Sequence, residues 1–328
     1  MGRKEESIRD GIVNLLKDAT SPLSGEEMSG RLGISRSAVW KHIKKLRSEG
    51  YVIDSRSGCG YFLKERPDSL LPREIRKGLK TRLFGQYDIV CEPVLTSTNE
   101  KARGLLLDGV PEGTLVLAES QTSGRGRRGR NWFSPPGVGL YVSLIALPDI
   151  SVSQATCLSL GTAVAVARAV EDVCGLKVDI KWPNDLLLKG KKLGGILVEI
   201  NGDIERVNSI VIGIGLNVNN RKELFPPSLQ HNATSLFMAT GKSVDRISLL
   251  QALLERFEEV YHTFLYADYN TVLDEWRLRT LTLGRKVVIS TIDGRLQSGY
   301  AIDILEDGSL LLETDEGERK TIVFGEIL

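Results

Sequence analysis

Apolar residues recur at helical spacing three times within the first fifty positions. Ile8, Ile12, Leu15 and Leu16 mark residues 5–19, and Met28 and Leu32 follow the capping sequence Ser24-Gly-Glu-Glu27. Val39, Ile43 and Leu46 follow a tight turn, Gly33-Ile-Ser35, whose serine can cap the third helix. Two short strand patterns at 51–54 and 61–63 flank Ser55-Arg-Ser-Gly-Cys-Gly60, so the first domain is predicted to be a winged helix-turn-helix. Residues 65–74 hold two prolines without clear periodicity and read as a linker. From about 80 to 215 short Val/Ile/Leu runs at 114–118, 140–147, 196–200 and 210–217 alternate with helical segments at 98–107 and 152–173, the pattern of an α/β domain. An amphipathic helix over 245–267 and a shorter one through Trp276 come next. Four strands at 286–290, 297–304, 309–313 and 320–324, joined by Asp-Gly and Glu-Gly turns, predict a small SH3-like barrel. The fold class is therefore α+β and multidomain, with boundaries at 1–64, 65–74, 75–280 and 281–328.

Composition narrows the class without identifying a chemistry. With 41% hydrophobic and 26% charged residues the chain reads as globular, and no run reaches the ~18 apolar residues of a membrane span. The first residues carry no secretory apolar stretch, which gives an expectation of cytoplasmic location and no membrane partner. Cys59, Cys91, Cys157 and Cys174 are scattered, and histidines occur only at 42, 231 and 262, so neither a disulfide framework nor a dedicated metal cluster is expected. No G-x-S-x-G or H-E-x-x-H occurs. Any catalysis then rests on positioning and electrostatics.

Although net charge is only +1, residues 31–64 hold eight Lys/Arg against two acidic residues. Ser35, Arg36, Ser37, Trp40, Lys41, Lys44 and Lys45 on the third helix, with Arg56 in the wing, form the expected DNA-contacting set.

A second basic concentration has a different character. Residues 124–132 read Gly-Arg-Gly-Arg-Arg-Gly-Arg-Asn-Trp, and no acidic residue lies between Glu119 and Asp149. Arg125, Arg127, Arg128 and Arg130 repel one another on a glycine lattice, so a phosphate ester is expected to supply the opposite charge and order a mobile loop. The same letters satisfy G-x-G-x-x-G, but a dinucleotide site needs a helix directly behind the glycines. Here Pro135-Pro-Gly137 and another strand follow, which removes that reading.

Around this loop stand Thr96-Ser-Thr-Asn99, where Ser97 and Glu100 predict a capping box, then Lys181-Trp-Pro-Asn-Asp185, Lys192-Leu-Gly-Gly-Ile-Leu197 and Gly213-Ile-Gly-Leu-Asn217. In this order the segments resemble the biotin–protein ligases, and with the winged helix in front nearly the whole chain looks like the bifunctional branch that also represses the biotin operon. Lipoate ligases share the fold but carry an Arg with a triple glycine and a downstream His that are not found here.

The resemblance implies a central class II synthetase-like domain that joins biotin and MgATP into biotinyl-5′-AMP, then passes biotin to a lysine of a biotin carboxyl carrier protein. It implies biotin contacts from Ser97, Thr98, Asn99, Gln121, Arg125, Gly126, Arg127, Trp132, Lys192, Gly213, Gly215 and Leu216. Arg125, Arg127, Arg128, Arg130, Lys181, Asn184, Lys192 and Asn217 are the implied adenylate contacts. Lys192, Arg125, Lys181 and Asp185 are the implied catalytic groups, with magnesium arriving on ATP. Operator DNA and a second copy of the chain are the further implied partners. A ligand-sensing transcription factor without ligase activity and a lipoate or octanoyl ligase are the alternatives.

Overall fold

The computed structural model describes residues 2–56, 59–203, 206–291 and 294–328, with the side chains of 2–4, 6, 56 and 153 outside that description. Two compact units divide at residues 69 and 70. In the first, α1 (Gly2–Asp18), α2 (Gly25–Leu32) and α3 (Arg36–Ser48) precede a hairpin of β1 (Val52–Arg56) and β2 (Gly60–Glu65). The predicted inward residues Ile12, Leu16, Met28, Val39, Ile43 and Leu46 are all buried. Ser24 and Ser35 cap α2 and α3 through Glu27 N and Ala38 N. Leu23 and Tyr61 exchange backbone hydrogen bonds beside the hairpin. Gly60, at φ +107°, brings its backbone so close to Leu23 that an added Cβ would lie 2.2 Å from the Leu23 oxygen.

The second unit opens with α4 (Pro72–Arg76), which begins inside the segment 65–74 expected as linker and runs past its end. It continues through β3 (Ile89–Leu95), α5 (Thr98–Leu107), β4 (Leu115–Gln121), β5 (Gly139–Ala146), α6 (Val152–Ala155) and α7 (Cys157–Cys174). Next come β6 (Asp179–Lys181), β7 (Asp185–Leu188), β8 (Lys191–Gly202), β9 (Val207–Asn217), α8 (Leu236–Thr240), α9 (Arg246–Tyr266) and α10 (Asn270–Arg279). The helix expected over 152–173 is broken at Thr156.

Strands β3–β9 form one sheet in the order β3-β4-β5-β9-β8-β7-β6. Only β3 and β4 pair in parallel, which is why α5 must cross between them. Alternation along β9 sends Ile210, Ile212, Ile214 and Leu216 into the main core with α7 and α9, while Val211 joins a small cluster under α5 with Ala102, Val116 and Ile145. Beyond Val211 that second face carries Gly213 and Gly215, and the missing side chains let Asn99 and Trp132 pack onto the strand beside a cavity that both glycines help line.

Arg246, 1% exposed, donates to Glu119 Oε2 at 2.8 Å and to Gly139 O, and Glu119 Oε1 accepts from Leu70 N. This pair, buried at Arg246 and half-buried at Glu119, ties the first residue of the unit to β4 and α9. The barrel, β10 (Lys286–Thr291), β11 (Leu296–Ile304), β12 (Leu310–Thr314), β13 (Arg319–Ile322) and β14 (Gly325–Ile327), is an antiparallel sheet ordered β13-β12-β11-β10-β14. No helix among the described residues is long and apolar enough to cross a membrane.

Candidate active site

A cavity of about 300 Å³ lies between the glycine face of β9, the start of α5, the arginine loop, the turn between β6 and β7, residues 225–233 and β14. Its inner end is polar. Ser97, Thr98 and Asn99 are buried at 2–4% exposure, and Asn99 lies over Gly213, where an added Cβ would stand 2.2 Å from Oδ1. Asn99 Nδ2 donates to Glu199 Oε2 at 2.7 Å, and Ser143 Oγ sits 2.6 Å from Asn99 Oδ1 and 2.8 Å from Thr98 Oγ1.

The capping box expected from Ser97 and Glu100 is not made. Ser97 forms no side-chain cap, and the first amide of α5, Thr98 N, donates instead to Gln121 Oε1 at 2.8 Å. Gln121 is held in turn by Ser134 Oγ at 2.9 Å, so a long-range amide replaces the local cap. Leu216 also departs from expectation. It is fully buried in the main core, because strand alternation puts it on the face opposite Gly213 and Gly215. Trp132 occupies the cavity side instead. An added Cβ at Gly215 would meet its Nε1 at 2.6 Å, and that buried N–H makes no hydrogen bond among the described residues.

The arginine loop is closed onto the protein rather than held apart by its own charge. Arg125 and Asn131 form a backbone bridge around a 3-10 turn at Arg127–Gly129 in which Arg128 takes φ 56°. Arg128 donates to Ser290 Oγ at 3.1 Å and Thr291 O at 2.6 Å, and Arg130 pairs with Glu326. Arg125 Nη2 lies 3.7 Å from Glu100. Burial lowers the Arg127 pKa, while Glu326 and Asp185 oppose that shift. The opposite charge that the sequence assigned to a phosphate is thus supplied in part by Glu326.

Lys192 Nζ lies 2.6 Å from Asp185 Oδ1 and 5.8 Å from the centre of the Trp132 ring. The Lys192 backbone is fixed by its N–H donating to Asn232 O and its carbonyl accepting from Thr234 N. Lys181 Nζ donates to Ile327 O at 2.9 Å. Asn184 and Asn217 both line the cavity but spend an amide proton on Ile196 O and Thr234 O. Trp182, after which the peptide to Pro183 is cis, is buried and donates its indole N–H to Gly308 O. Among the described residues no cluster of three or more metal-ligating side chains occurs.

Sequence reasoning passed over Ser143, Glu199 and Glu326. Lone polar residues inside strands give no local signal. Glu326 needed the barrel's placement.

In the N-terminal unit Arg36, Ser37, Trp40, Lys41, Lys44 and Lys45 are exposed on α3, with Trp40 at 58% and Lys44 Nζ 5.5 Å from its ring centre. Ser35 is exposed too, although its hydroxyl caps the helix. The side chain of Arg56 and the wing tip at 57–58 lie outside the described residues.

Three family descriptions match the chain: an HTH domain over residues 9–62, the biotin/lipoate A/B protein ligase family over 91–217 and a biotin protein ligase C-terminal domain over 282–328. The bifunctional ligase/repressor BirA of Bacillus spizizenii is 42% identical over 96% of both chains. The Escherichia coli BirA is 34% identical over 95% of this chain and 98% of its own. Among solved structures, the biotin protein ligase from Aquifex aeolicus in complex with biotin and ATP is similar with a TM-score of 0.64 at 30% identity, covering 74% of this chain and 97% of that one.

Proposed function

This chain belongs to the family of bifunctional biotin ligase/repressors, and from that premise we propose that it converts biotin and ATP to biotinyl-5′-AMP, transfers biotin to a carrier-protein lysine, and represses biotin synthesis genes. The observation that carries the reading is convergence. A neutral hydrogen-bonding end at Thr98, Asn99 and Gln121 and a cationic end at Lys192 and the arginine loop share one cavity. Biotin has that polarity, a urea ring at one end and a carboxylate at the other.

In the proposed mechanism the inner polar groups pair with the N–H and C=O groups of the urea ring, which would otherwise be buried unpaired at about 1–3 kcal/mol each. The bicyclic body lies along Gly213 and Gly215 against Trp132. Lys192, oriented by Asp185, holds the carboxylate and the α-phosphate as oxygen attacks phosphorus and pyrophosphate leaves, a kind of electrostatic stabilisation worth roughly 3–4 kcal/mol. Arg125 and Arg127 cover the adenylate, and magnesium comes with the nucleotide. The acceptor amine then displaces AMP. Residues 1–64 bind the operator, 75–280 carry the chemistry and 281–328 brace the arginine loop.

Incubation with MgATP, a carrier domain and either biotin or lipoate, read by intact mass, tests the ligase. A carrier without the biotin increment leaves the sensor reading, and a lipoyl increment in place of biotin leaves the lipoate reading. The adenylate-bound form is proposed to dimerise and occupy a two-half-site operator. Sedimentation with and without biotin and ATP tests the dimer. Gel shifts against random duplex at physiological salt test the DNA.

A further inference from the structure

Behind the inner end of the cavity, hydrogen bonds run through four side chains, and their direction is set by the member that cannot donate. Glu199 Oε2 accepts from Asn99 Nδ2 at 2.7 Å, and Arg103 Nη1 lies 3.6 Å from the other carboxylate oxygen. A carboxylate only accepts, so turning the Asn99 amide over would set two oxygens against each other. The amide therefore keeps Oδ1 toward Ser143 Oγ, 2.6 Å away. Ser143 is fully buried, owns one proton, and must give it to the amide oxygen. Its other contact, 2.8 Å to Thr98 Oγ1, is then a bond in which Thr98 donates. With its single proton spent there, Thr98 leaves Gln121 Oε1 to the backbone N–H at 2.8 Å rather than to its own hydroxyl at 3.3 Å. What Thr98 has left for the cavity is a lone pair.

We infer that Glu199 is a positioning residue that fixes this proton order, so that the inner end of the cavity offers acceptors and selects a ligand ring carrying N–H donors, the chemistry of a cyclic urea. The inference rests on the proposed biotin chemistry of this cavity. Glu199 does not line the cavity, so its influence passes through Asn99 and Ser143. Without it only the longer 3.4 Å bond from Asn99 Nδ2 to Leu197 O holds the amide, so the amide can turn more readily, Ser143 can donate elsewhere, and the Thr98 hydroxyl can point its proton at the ligand. The pocket would keep its shape and lose its polarity.

Glu199→Met keeps the length and removes the acceptor, whereas Glu199→Gln keeps an oxygen for Asn99. Biotin titration of the full chain by calorimetry, with steady-state adenylation, reads both. In Glu199→Met the biotin Kd and KM are expected to rise about tenfold or more, with kcat at saturating biotin and the KM for ATP unchanged. Glu199→Gln should recover most of the loss. Biotin methylated on both ring nitrogens should bind the wild type poorly, and its penalty relative to biotin should shrink in Glu199→Met. Ser143→Ala cuts the chain one link nearer the ligand and should reproduce the Met result, so it decides the matter if Glu199→Met does not fold. Wild-type biotin affinity in Glu199→Met or Ser143→Ala, an undiminished methyl penalty, or a parallel collapse of kcat and ATP affinity overturns the inference. Absence of biotin binding by the wild type overturns the ligand reading instead.

Discussion

Replacing the two glycines of β9 with alanine should damage ligand binding to different extents, because their neighbours differ in freedom to move. At Gly213 the new methyl would lie 2.2 Å from Asn99 Oδ1, against an ordinary contact of about 3.5 Å, so the amide must retreat by more than 1 Å. Asn99 is held by Ser143 at 2.6 Å and Glu199 at 2.7 Å, and retreat breaks at least one of these bonds. A buried polar group left unpaired costs about 1–3 kcal/mol, on top of overpacking of similar size. At Gly215 the methyl would meet the Trp132 indole at 2.6 Å, but that ring has no hydrogen bond to lose and sits on a loop. It can slide for roughly 1–3 kcal/mol, and the cost appears as a looser arginine loop. At 1.4 kcal/mol per decade, biotin affinity should fall about a hundredfold in Gly213→Ala and about tenfold in Gly215→Ala. Calorimetric titration beside thermal melting separates binding from stability. Equal losses, or a larger loss at Gly215, would refute the assignment of Asn99 as pinned and Trp132 as free.

Other consequences are as direct. Lys192→Ala should lose most adenylation with an unchanged melting temperature, since it removes the cation paired with Asp185; pyrophosphate release measures it. Arg128→Ala cuts the bonds to Ser290 and Thr291 and should speed loss of the adenylate several-fold in a chase assay, as should Arg125→Ala. Lys41→Ala should weaken binding to all duplexes alike and reduce the salt slope by about one, as for a phosphate contact. Burial pushes the Cys157 thiol up to about 12, so it stays protonated near neutrality. A thiol reagent at pH 8 should therefore label exposed Cys59 first and reach Cys157 only on unfolding.

The parts of the chain most legible in sequence were those whose signal is local. Helical spacing of Ile12, Leu16, Val39 and Ile43, caps at Ser24 and Ser35, and strand alternation all act within a few residues. The arginine loop, Lys192 and Asp185 were legible because they sit in contiguous motifs. Ser97 misled because a serine followed by glutamate announces a cap, while Gln121, 23 positions from Thr98 in sequence, had already taken the amide. Leu216 misled because a motif lists neighbours in order, whereas a strand sends alternate neighbours to opposite faces. Glu326, Ser143 and Glu199 were invisible for one reason: each acts across sheet neighbours or from the barrel, and only the fold brings it near.

The bare face of β9 also bears on how this pocket can change over evolution or by engineering. Most pockets are walled by side chains, which can be trimmed to admit a larger guest or lengthened to exclude one. At Gly213 and Gly215 the wall is backbone, already at its minimum, so mutation there can only shrink the space. A variant that accepts a bulkier ring must find its room elsewhere, at Trp132 or along residues 225–233, and the strand acts as a fixed floor against which such variation is measured.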